Sequence, residues 1–207
     1  MNSLFIFSMK ILCFVDLHGN IPVLKKLIER AKKDDIDLVV CAGDISVFGD
    51  GLGKLVEIAS KVEKPFLIIP GNHESDEEIS KACKPYKNCL NIHKRGFSGK
   101  DFTILGYGGG GFSKVDKKFE KISKAFKKII QQKGGKIILV THAPPYNTKV
   151  DRIGDNPVGN KSIRQFISET KPNFAICGHL HENAGKVDVI GKTKVINPGY
   201  KGKIISL

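Results

Sequence analysis

Five of the six histidines in the sequence follow short apolar runs, and two aspartates and an asparagine hold the same kind of position. The complete set is Asp16, His18, Asp44, Asn72, His73, His142, His179 and His181. The runs are short, rich in β-branched residues and bounded by Gly, Asn or Asp, which is typical of buried strands. Because ligands in open α/β sheets bind beyond the carboxyl ends of the strands, we expect these side chains to converge at one edge of one sheet.

The chemistry of this set is that of a metal site. Imidazole and carboxylate without thiolate suit Mn, Fe, Zn, Ni or Co rather than a structural zinc. Eight groups exceed what one ion can use, so they predict two ions about 3.5–4 Å apart, the arrangement that clamps attacking and leaving oxygens in phosphoryl hydrolysis. The spacing of Asp16 with His18, and of His179 with His181, predicts that each pair points to one side of a strand. Taken singly, each motif also fits a turn or a core histidine.

Helical patterns alternate with the apolar runs and predict an α/β fold. A helical stripe covers residues 52–62, and helix-start signals stand at Asn20, Ser75, Asn160 and either Ser113 or Asp116. Strands alternating with helices predict a sheet with helices on both faces. The stretch "DFTILGY" and the glycine-containing tail predict a second, more antiparallel sheet packed against the first. We expect residues 1–207 to form a single domain.

The ordered motifs Asp-x-His, Gly-Asp, Gly-Asn-His-Glu, His and Gly-His-x-His resemble those of the calcineurin-like metallophosphoesterases, over residues 16–181. The later motifs look most like the small single-domain archaeal and bacterial branch. The resemblance implies a four-layered α/β/β/α sandwich, with two mixed sheets flanked by helices. It implies one metal ion on Asp16, His18, Asp44 and His181. It implies a second ion on Asp44, Asn72, His142 and His179.

The same resemblance implies a mechanism. Asp44 would bridge two divalent ions, with Mn²⁺ the first choice and Fe, Zn, Ni or Co the alternatives. A bridging water, its pKa lowered by both ions, would attack phosphorus in line. His73 would bind no metal and would protonate the leaving oxygen, so that Asp44, Asn72 and His73 form the catalytic set.

One departure bears on the substrate. Protein Ser/Thr phosphatases of the superfamily follow Gly-Asp with Val-Asp-Arg-Gly, whereas this chain reads "GDISVFGDG". Arginine holds phosphate as a planar fork, so its absence favours a phosphodiesterase of small nucleotide-like esters. A phosphomonoesterase, a protein phosphatase, a nuclease and a non-catalytic protein-binding scaffold remain alternatives. Asp50 either supports His73 or belongs to a turn.

Two loops are candidates for substrate contact. "GYGGGG" at 106–111 lacks the following Gly-Lys-Ser/Thr of a phosphate loop and the acidic residue of a dinucleotide site. It is either a plain turn or a border of the metal site, where Gly109 and Gly110 would let substrate approach the backbone. The long loop 143–160 is expected to set selectivity through Asp151, Arg152 and Asp155. His93, beside Lys94 and Arg95, is predicted to be a surface histidine.

The sequence carries 34 basic and 21 acidic residues, a net charge of +13. The lysines are scattered and are not interleaved with aromatic residues, which favours a solvated surface over a nucleic-acid interface. We expect a small phosphate ester as the partner, no membrane, and nucleic acid or an oligomer only as alternatives.

The cysteines and the first residues bear on location. Five cysteines include no CxxC pair, and Cys83 and Cys89 could pair or stay free. The odd count and the apolar surroundings predict a reduced, cytoplasmic protein. The apolar run at residues 4–15 is too short for a membrane span and lacks the features of a signal peptide. Residues 1–8 are interpreted as an upstream extension, with Met9 as the natural start.

Overall fold

The computed structural model describes residues 9–207, so the proposed extension at residues 1–8 lies outside the described part. Two mixed sheets contain eleven of the strands, numbered here in chain order. The first sheet consists of β1 (Lys10–Phe14), β2 (Leu38–Cys41), β3 (Phe66–Ile68), β4 (Cys89–Asn91) and β13 (Lys203–Ser206). The second sheet consists of β5 (Arg95–Ser98), β6 (Phe102–Tyr107), β7 (Lys136–Thr141), β10 (Phe174–Ile176), β11 (Val187–Ile190) and β12 (Thr193–Ile196).

Each sheet has a parallel centre and antiparallel edges. The first sheet has the spatial order β13-β1-β2-β3-β4, with β13 antiparallel to β1. The second has the order β11-β12-β10-β7-β6-β5, with β11 and β5 antiparallel to their neighbours. The tail therefore ends in antiparallel pairings as predicted, but it divides between the two sheets. A two-stranded hairpin of β8 (Arg152–Ile153) and β9 (Asn156–Pro157) lies within the long loop.

Helices cover the outer face of both sheets. They are α1 (Ile21–Ala31), α2 (Leu52–Ser60), α3 (Asp76–Cys83), α4 (Lys117–Lys133) and α5 (Lys161–Thr170). Apolar side chains of α1, α2 and α3 pack on the first sheet, and those of α4 and α5 pack on the second. Residues of alternate parity in the strands form a third apolar cluster between the sheets, with Ile11 and Val40 facing Ile138 and Ile176. These three clusters make the predicted α/β/β/α sandwich.

The predicted helix starts are capped as the sequence indicates. The side chain of Asn20 accepts from the Val23 N–H, and Ser75 with Glu78 forms a reciprocal capping box. Of the two alternatives for α4, Asp116 is the cap, since its carboxylate accepts from the Phe119 N–H at 2.9 Å. Asn160 caps α5 in the same way.

The expectation that all the site residues follow strands of one sheet is wrong. The runs before Asp16, Asp44 and Asn72 lie in the first sheet as β1, β2 and β3. The runs before His142 and His179 are β7 and β10 of the second sheet. Because the sheets pack face to face, their carboxyl ends meet, and the site forms where two parallel sheets converge.

All five cysteines are buried and free, so Cys83 and Cys89 are not paired. Burial raises the pKa of the Cys83 thiol to about 11, which keeps it protonated and unreactive near neutral pH. No helix within residues 9–207 is long and apolar enough to cross a bilayer.

His93 is buried, with 7% of its surface exposed, and the prediction of a surface histidine is wrong. Its Nδ1 accepts the Gly108 N–H at 2.7 Å, and its ring lies 5.4 Å from that of Tyr107. Burial, followed by the charge of Lys94, lowers the pKa of His93 to about 4. The flanking Lys94 and Arg95 side chains are exposed, which is what the local sequence reflects.

We expect His93→Gln to reduce the acid sensitivity of folding. Because the pKa of His93 is about 4 in the folded protein and about 6.5 when unfolded, the unfolded chain binds an extra proton between those values. The free energy of unfolding should therefore fall as pH drops through that window, by about 3 kcal/mol from this group. Urea unfolding of both proteins at several pH values measures the difference. Parallel pH profiles would contradict the assignment, whatever the offset at neutral pH.

Candidate metal centre

Four of the predicted site residues have left-handed backbone conformations. The φ angles are 55° at Asp16, 47° at His18, 51° at Asp44 and 70° at His179. Asp, Asn and His tolerate this region better than other residues, and such strain is concentrated at functional sites. The expected reason for the pairing of side chains is therefore wrong: Asp16 and His18 lie beyond the end of β1, and His181 begins a short 3₁₀-helix, His181–Asn183.

One half of the centre is formed by Asp16, His18 and His181, whose ligand atoms all lie within 4.8 Å of one another. The Nε2 atoms of the two histidines are 2.9 Å apart. The Asp16 Oδ1 also accepts the His179 N–H at 3.2 Å, which fixes the position of the Gly-His-x-His turn against β1.

The other half is formed around the Asn72 side chain. Its Oδ1 lies 3.0 Å from His142 Nε2 and 2.8 Å from His179 Nδ1. His179 and His181 therefore face different halves of the centre. The structure thus brings all seven predicted ligands together, while their binding of metal stays a prediction.

Asp44 lies between the two halves. Its Oδ2 is 3.3 Å from His142 Nε2 and 3.9 Å from the Nε2 atoms of both His18 and His73. Its Oδ1 accepts the His73 N–H at 3.0 Å. Gly71 is required beside it, because a Cβ at that position would collide with the Asp44 carboxylate.

The donors suit a cation. His142 Nδ1 faces the Ala42 carbonyl oxygen at 3.0 Å, and since a carbonyl only accepts, this nitrogen carries the proton of the neutral ring. The lone pair of Nε2 then faces oxygens of Asp44 and Asn72, an arrangement that needs a proton or a metal ion among them. His179 Nε2 is buried without a hydrogen-bond partner in the described part of the chain.

The protonation of these groups follows from the same contacts. Burial favours the neutral form of Asp44, but the hydrogen bond and charge of His142 outweigh it and lower the pKa of the carboxyl to about 2. Burial likewise opposes the charge on His142, yet Asp44 raises the pKa of this imidazole above its usual value. Burial raises the pKa of Asp16, and it lowers the pKa of His179 to about 4. A metal ion would compete with the proton shared by Asp44 and His142.

His73 differs from the other histidines. Its Nδ1 accepts the Phe48 N–H at 3.3 Å, so in the neutral ring the proton is on Nε2. A protonated nitrogen donates a hydrogen bond and does not bind a metal. Although His18, Asp44 and His73 are close enough to hold an ion, this tautomer favours a donor role for His73.

Glu74 is a site residue for which the sequence predicts no role. It is buried, and its carboxylate accepts the N–H groups of Asp44, Ser46 and Gly71 at 3.2, 2.8 and 3.1 Å. These bonds tie the loop after β2 to the loop after β3. Its place after Asn72-His73 was the signal in the sequence, because a carboxylate directly after a strand-end motif is placed to orient it. Asp50 is exposed and belongs to a turn before α2.

The glycine-rich loop borders the centre. The Gly109 N–H donates to the Pro70 carbonyl at 2.8 Å, next to the segment that carries Asn72. Gly109 and Gly110 have φ angles of 75° and 94°, which side chains rarely adopt. Phe112 follows them and packs on His179, with ring centroids 4.9 Å apart. Substrate contact by Gly109 and Gly110 stays a prediction.

The loop 143–160 is held by its own hydrogen bonds. The buried Asp151 accepts the N–H groups of Asn147, Thr148 and Gly159 at 2.8, 2.7 and 2.9 Å. The Arg152 guanidinium donates to the Thr148 and Asp155 carbonyls and to Asn147 Oδ1. These contacts give Asp151 and Arg152 a structural role, and the substrate contact by Arg152 stays a prediction.

Residues 9–183 match the family described as calcineurin-like phosphoesterases. The chain belongs to this family. It is 35% identical to an uncharacterized protein of Methanocaldococcus jannaschii, over 95% of this chain and 91% of that protein. It is 25% identical to a protein of Arcobacter nitrofigilis named "Probable glycerophosphodiester phosphodiesterase GpdQ", over 70% of this chain and 56% of the relative.

Solved structures confirm the fold. The Thermus thermophilus protein TT1561 superposes with a TM-score of 0.73 at 17% identity, over 93% of this chain and 89% of that one. A dimetal phosphatase of Danio rerio superposes with a TM-score of 0.64 at 10% identity, over 91% and 86%. The family and the four-layered α/β/β/α architecture predicted for this calcineurin-like phosphoesterase are thus confirmed.

We expect loss of His179 and loss of His181 to affect different metal positions. His179 contacts Asn72, whereas His181 contacts His18, so each alanine variant should lower the affinity of one ion and leave the other bound. Metal titration of the chelator-treated protein, with two resolved binding steps in the parent, measures this. Identical losses at both steps in both variants would contradict separate positions. Asn183→Ala, in the same turn, is the control.

Proposed function

We propose that this calcineurin-like phosphoesterase is a phosphodiesterase of small nucleotide-like esters that uses two divalent metal ions. The observation that carries the proposal is the position of Asp44, whose Oδ2 lies within 3.9 Å of Nε2 atoms of His18, His73 and His142. A single buried carboxylate thus contacts both halves of the donor set and the one histidine that presents an N–H. The binding of two ions, with Mn²⁺ preferred over Fe, Zn, Ni or Co, belongs to the proposal.

In this proposal the ions supply positive charge for the phosphoryl oxygens and a water of lowered pKa. One would be held by Asp16, His18, Asp44 and His181, and the other by Asp44, Asn72, His142 and His179. The chain supplies orientation, since Glu74 fixes the loops that carry Asp44 and Asn72. His73 Nε2, held by the Phe48 N–H on the opposite nitrogen, donates its proton to the leaving oxygen.

The preference for diesters rests on charge. A phosphate monoester carries an additional negative charge, which enzymes commonly neutralise with arginine. In residues 9–207 no arginine hydrogen-bonds to a residue of the centre, and Arg30, Arg152 and Arg164 are bound to Asp35 or to loop atoms. The name of the Arcobacter nitrofigilis relative also refers to a diester. A cytoplasmic location, and a small ester rather than nucleic acid as the partner, complete the proposal.

A reconstitution assay tests this function. Protein treated with a chelator is reloaded with Mn²⁺, Fe²⁺, Zn²⁺, Ni²⁺ or Co²⁺ and assayed on bis(p-nitrophenyl) phosphate, p-nitrophenyl phosphate, cyclic nucleotides and single-stranded DNA. We expect hydrolysis only with metal, and higher kcat/KM for the diesters than for the monoester. Faster monoester hydrolysis would make the protein a monoesterase, and no hydrolysis with any ion would favour the non-catalytic scaffold. Asp50→Asn, an exposed substitution, is the matched control.

A further inference from the structure

Two phenylalanine rings are exposed beside the metal centre. Phe48 is 78% exposed and Phe112 is 63% exposed, whereas the other large apolar side chains near the centre are buried. A single exposed apolar residue needs no explanation. Here, however, each ring packs on a histidine of the centre, Phe48 on His73 and Phe112 on His179.

The position of Phe48 is fixed by its turn. Its φ angle is 48°, an uncommon conformation for a bulky residue, and its N–H is bonded to His73 Nδ1. The turn is closed by a hydrogen bond from the Gly49 N–H to Ser46 Oγ at 3.2 Å. The ring lies 4.3 Å from that of His73, at 38° between the planes. The backbone therefore holds an aromatic face in solvent next to the proposed proton donor.

Phe112 is held on the other side. Its ring lies 4.9 Å from that of His179, and the following residue, Ser113, accepts a hydrogen bond from Asn160 Nδ2 at 2.8 Å. His179 packs on His142, whereas His73 packs on His18, with ring centroids 5.3 and 4.8 Å apart. One phenylalanine thus borders each half of the centre.

We propose that Phe48 and Phe112 are specificity residues that stack on planar aromatic substituents of the ester, of which a nucleobase is the biological example. This inference rests on the proposed function, and it explains why a diester would be met by two rings, one for each substituent. Phe48 serves the leaving group, because it contacts His73, and Phe112 serves the group retained on phosphate. Bases stack on aromatic side chains whatever their hydrogen-bonding edges, so the rings select flat groups over aliphatic ones.

Calorimetric binding tests the proposal without turnover. AMP and ribose 5-phosphate share the phosphate and the sugar, and only AMP has a base. With Mn²⁺ present, we expect the parent protein to bind AMP about 5- to 100-fold more tightly, the range typical of one stacked base. As AMP is the retained part of a diester, Phe112→Ala should lose this preference and keep its affinity for ribose 5-phosphate. Val189→Ala, which removes another exposed apolar side chain, should keep both.

Phe48 is tested on the leaving group. Phe48→Ala and Phe48→Leu should raise KM for thymidine 5′-p-nitrophenyl phosphate by a similar factor and leave KM for the methyl ester of thymidine 5′-phosphate unchanged. Equal binding of AMP and ribose 5-phosphate by the parent, including no binding of either, would overturn the stacking proposal, even if esters are hydrolysed. Loss of the AMP preference in Phe112→Ala, in a protein that hydrolyses no ester with any ion, would support stacking while the proposed phosphodiesterase fails.

Discussion

Replacing Asp44 with asparagine is expected to lower kcat by at least about a thousandfold and to weaken metal binding at both positions. Two ions contribute several kcal/mol of charge stabilisation in a phosphoryl transition state, which corresponds to rate factors of this size. No other carboxylate of the described chain lies within reach of both His18 and His142, since Asp44 Oδ2 is 3.9 and 3.3 Å from their Nε2 atoms. A neutral amide of the same size removes the charge and keeps the volume.

The substitution also reverses a local interaction. If the amide nitrogen replaced Oδ2, it would present N–H groups to His142 Nε2, whose pKa is raised by the Asp44 charge. His142 should then titrate lower and stay neutral, so the fold should survive although the centre does not. Elemental analysis after dialysis, together with kcat on bis(p-nitrophenyl) phosphate, measures the effect. Asp50→Asn makes the same chemical change six residues later on an exposed turn and should behave as the parent protein.

An Asp44→Asn variant that retains two ions and more than about a tenth of the parental kcat would contradict the bridging role. Such a result would move the shared position to Asp16, which is grouped with Asp44 and His142 in the structure. The two aspartates differ in a measurable way, because burial raises the pKa of Asp16 whereas His142 lowers that of Asp44.

The local signals in the sequence were sufficient for the elements and for the composition of the centre. Asn20, Ser75 and Asn160 each bond to a backbone N–H of the helix that follows, an interaction within four residues along the chain. The strand ends were visible because polar residues interrupt apolar runs abruptly. The convergence of the site residues followed from a general property of parallel strands.

The division of those strands into two sheets was not visible. A buried parallel strand reads as an apolar run whichever sheet it belongs to, and β1 pairs with β13, in which Lys10 lies opposite Ser206. The environment of His93 failed for the same reason, because its burial depends on Gly106 and Tyr107, to which the adjoining charges of Lys94 and Arg95 give no clue. Likewise, the left-handed conformations at Asp16 and His18 depend on bonds to Gly43 and Asp44 from a neighbouring strand end.

Replacing His73 with alanine is expected to slow hydrolysis in proportion to the basicity of the leaving group. General acid catalysis contributes about 10²- to 10⁴-fold, and the contribution is largest when the leaving oxygen needs a proton. A methyl ester of thymidine 5′-phosphate should therefore lose most of its kcat, whereas p-nitrophenolate departs unaided and its ester should lose far less. Metal content should be unchanged, because the Phe48 N–H holds His73 in the tautomer whose Nε2 carries the proton.

The two readouts together separate three roles for His73. A general acid gives an uneven loss with both ions retained, a metal ligand gives an even loss with one ion weakened, and a bystander gives no loss. His142→Ala provides the second pattern for comparison, since its Nε2 faces Asp44 and Asn72 rather than solvent. An even loss accompanied by a missing ion would place His73 with His18 and Asp44 as a ligand, which their mutual proximity permits. The tautomer set by Phe48 decides against that outcome, because a nitrogen that accepts a backbone N–H leaves the opposite nitrogen protonated and turned toward Asp44.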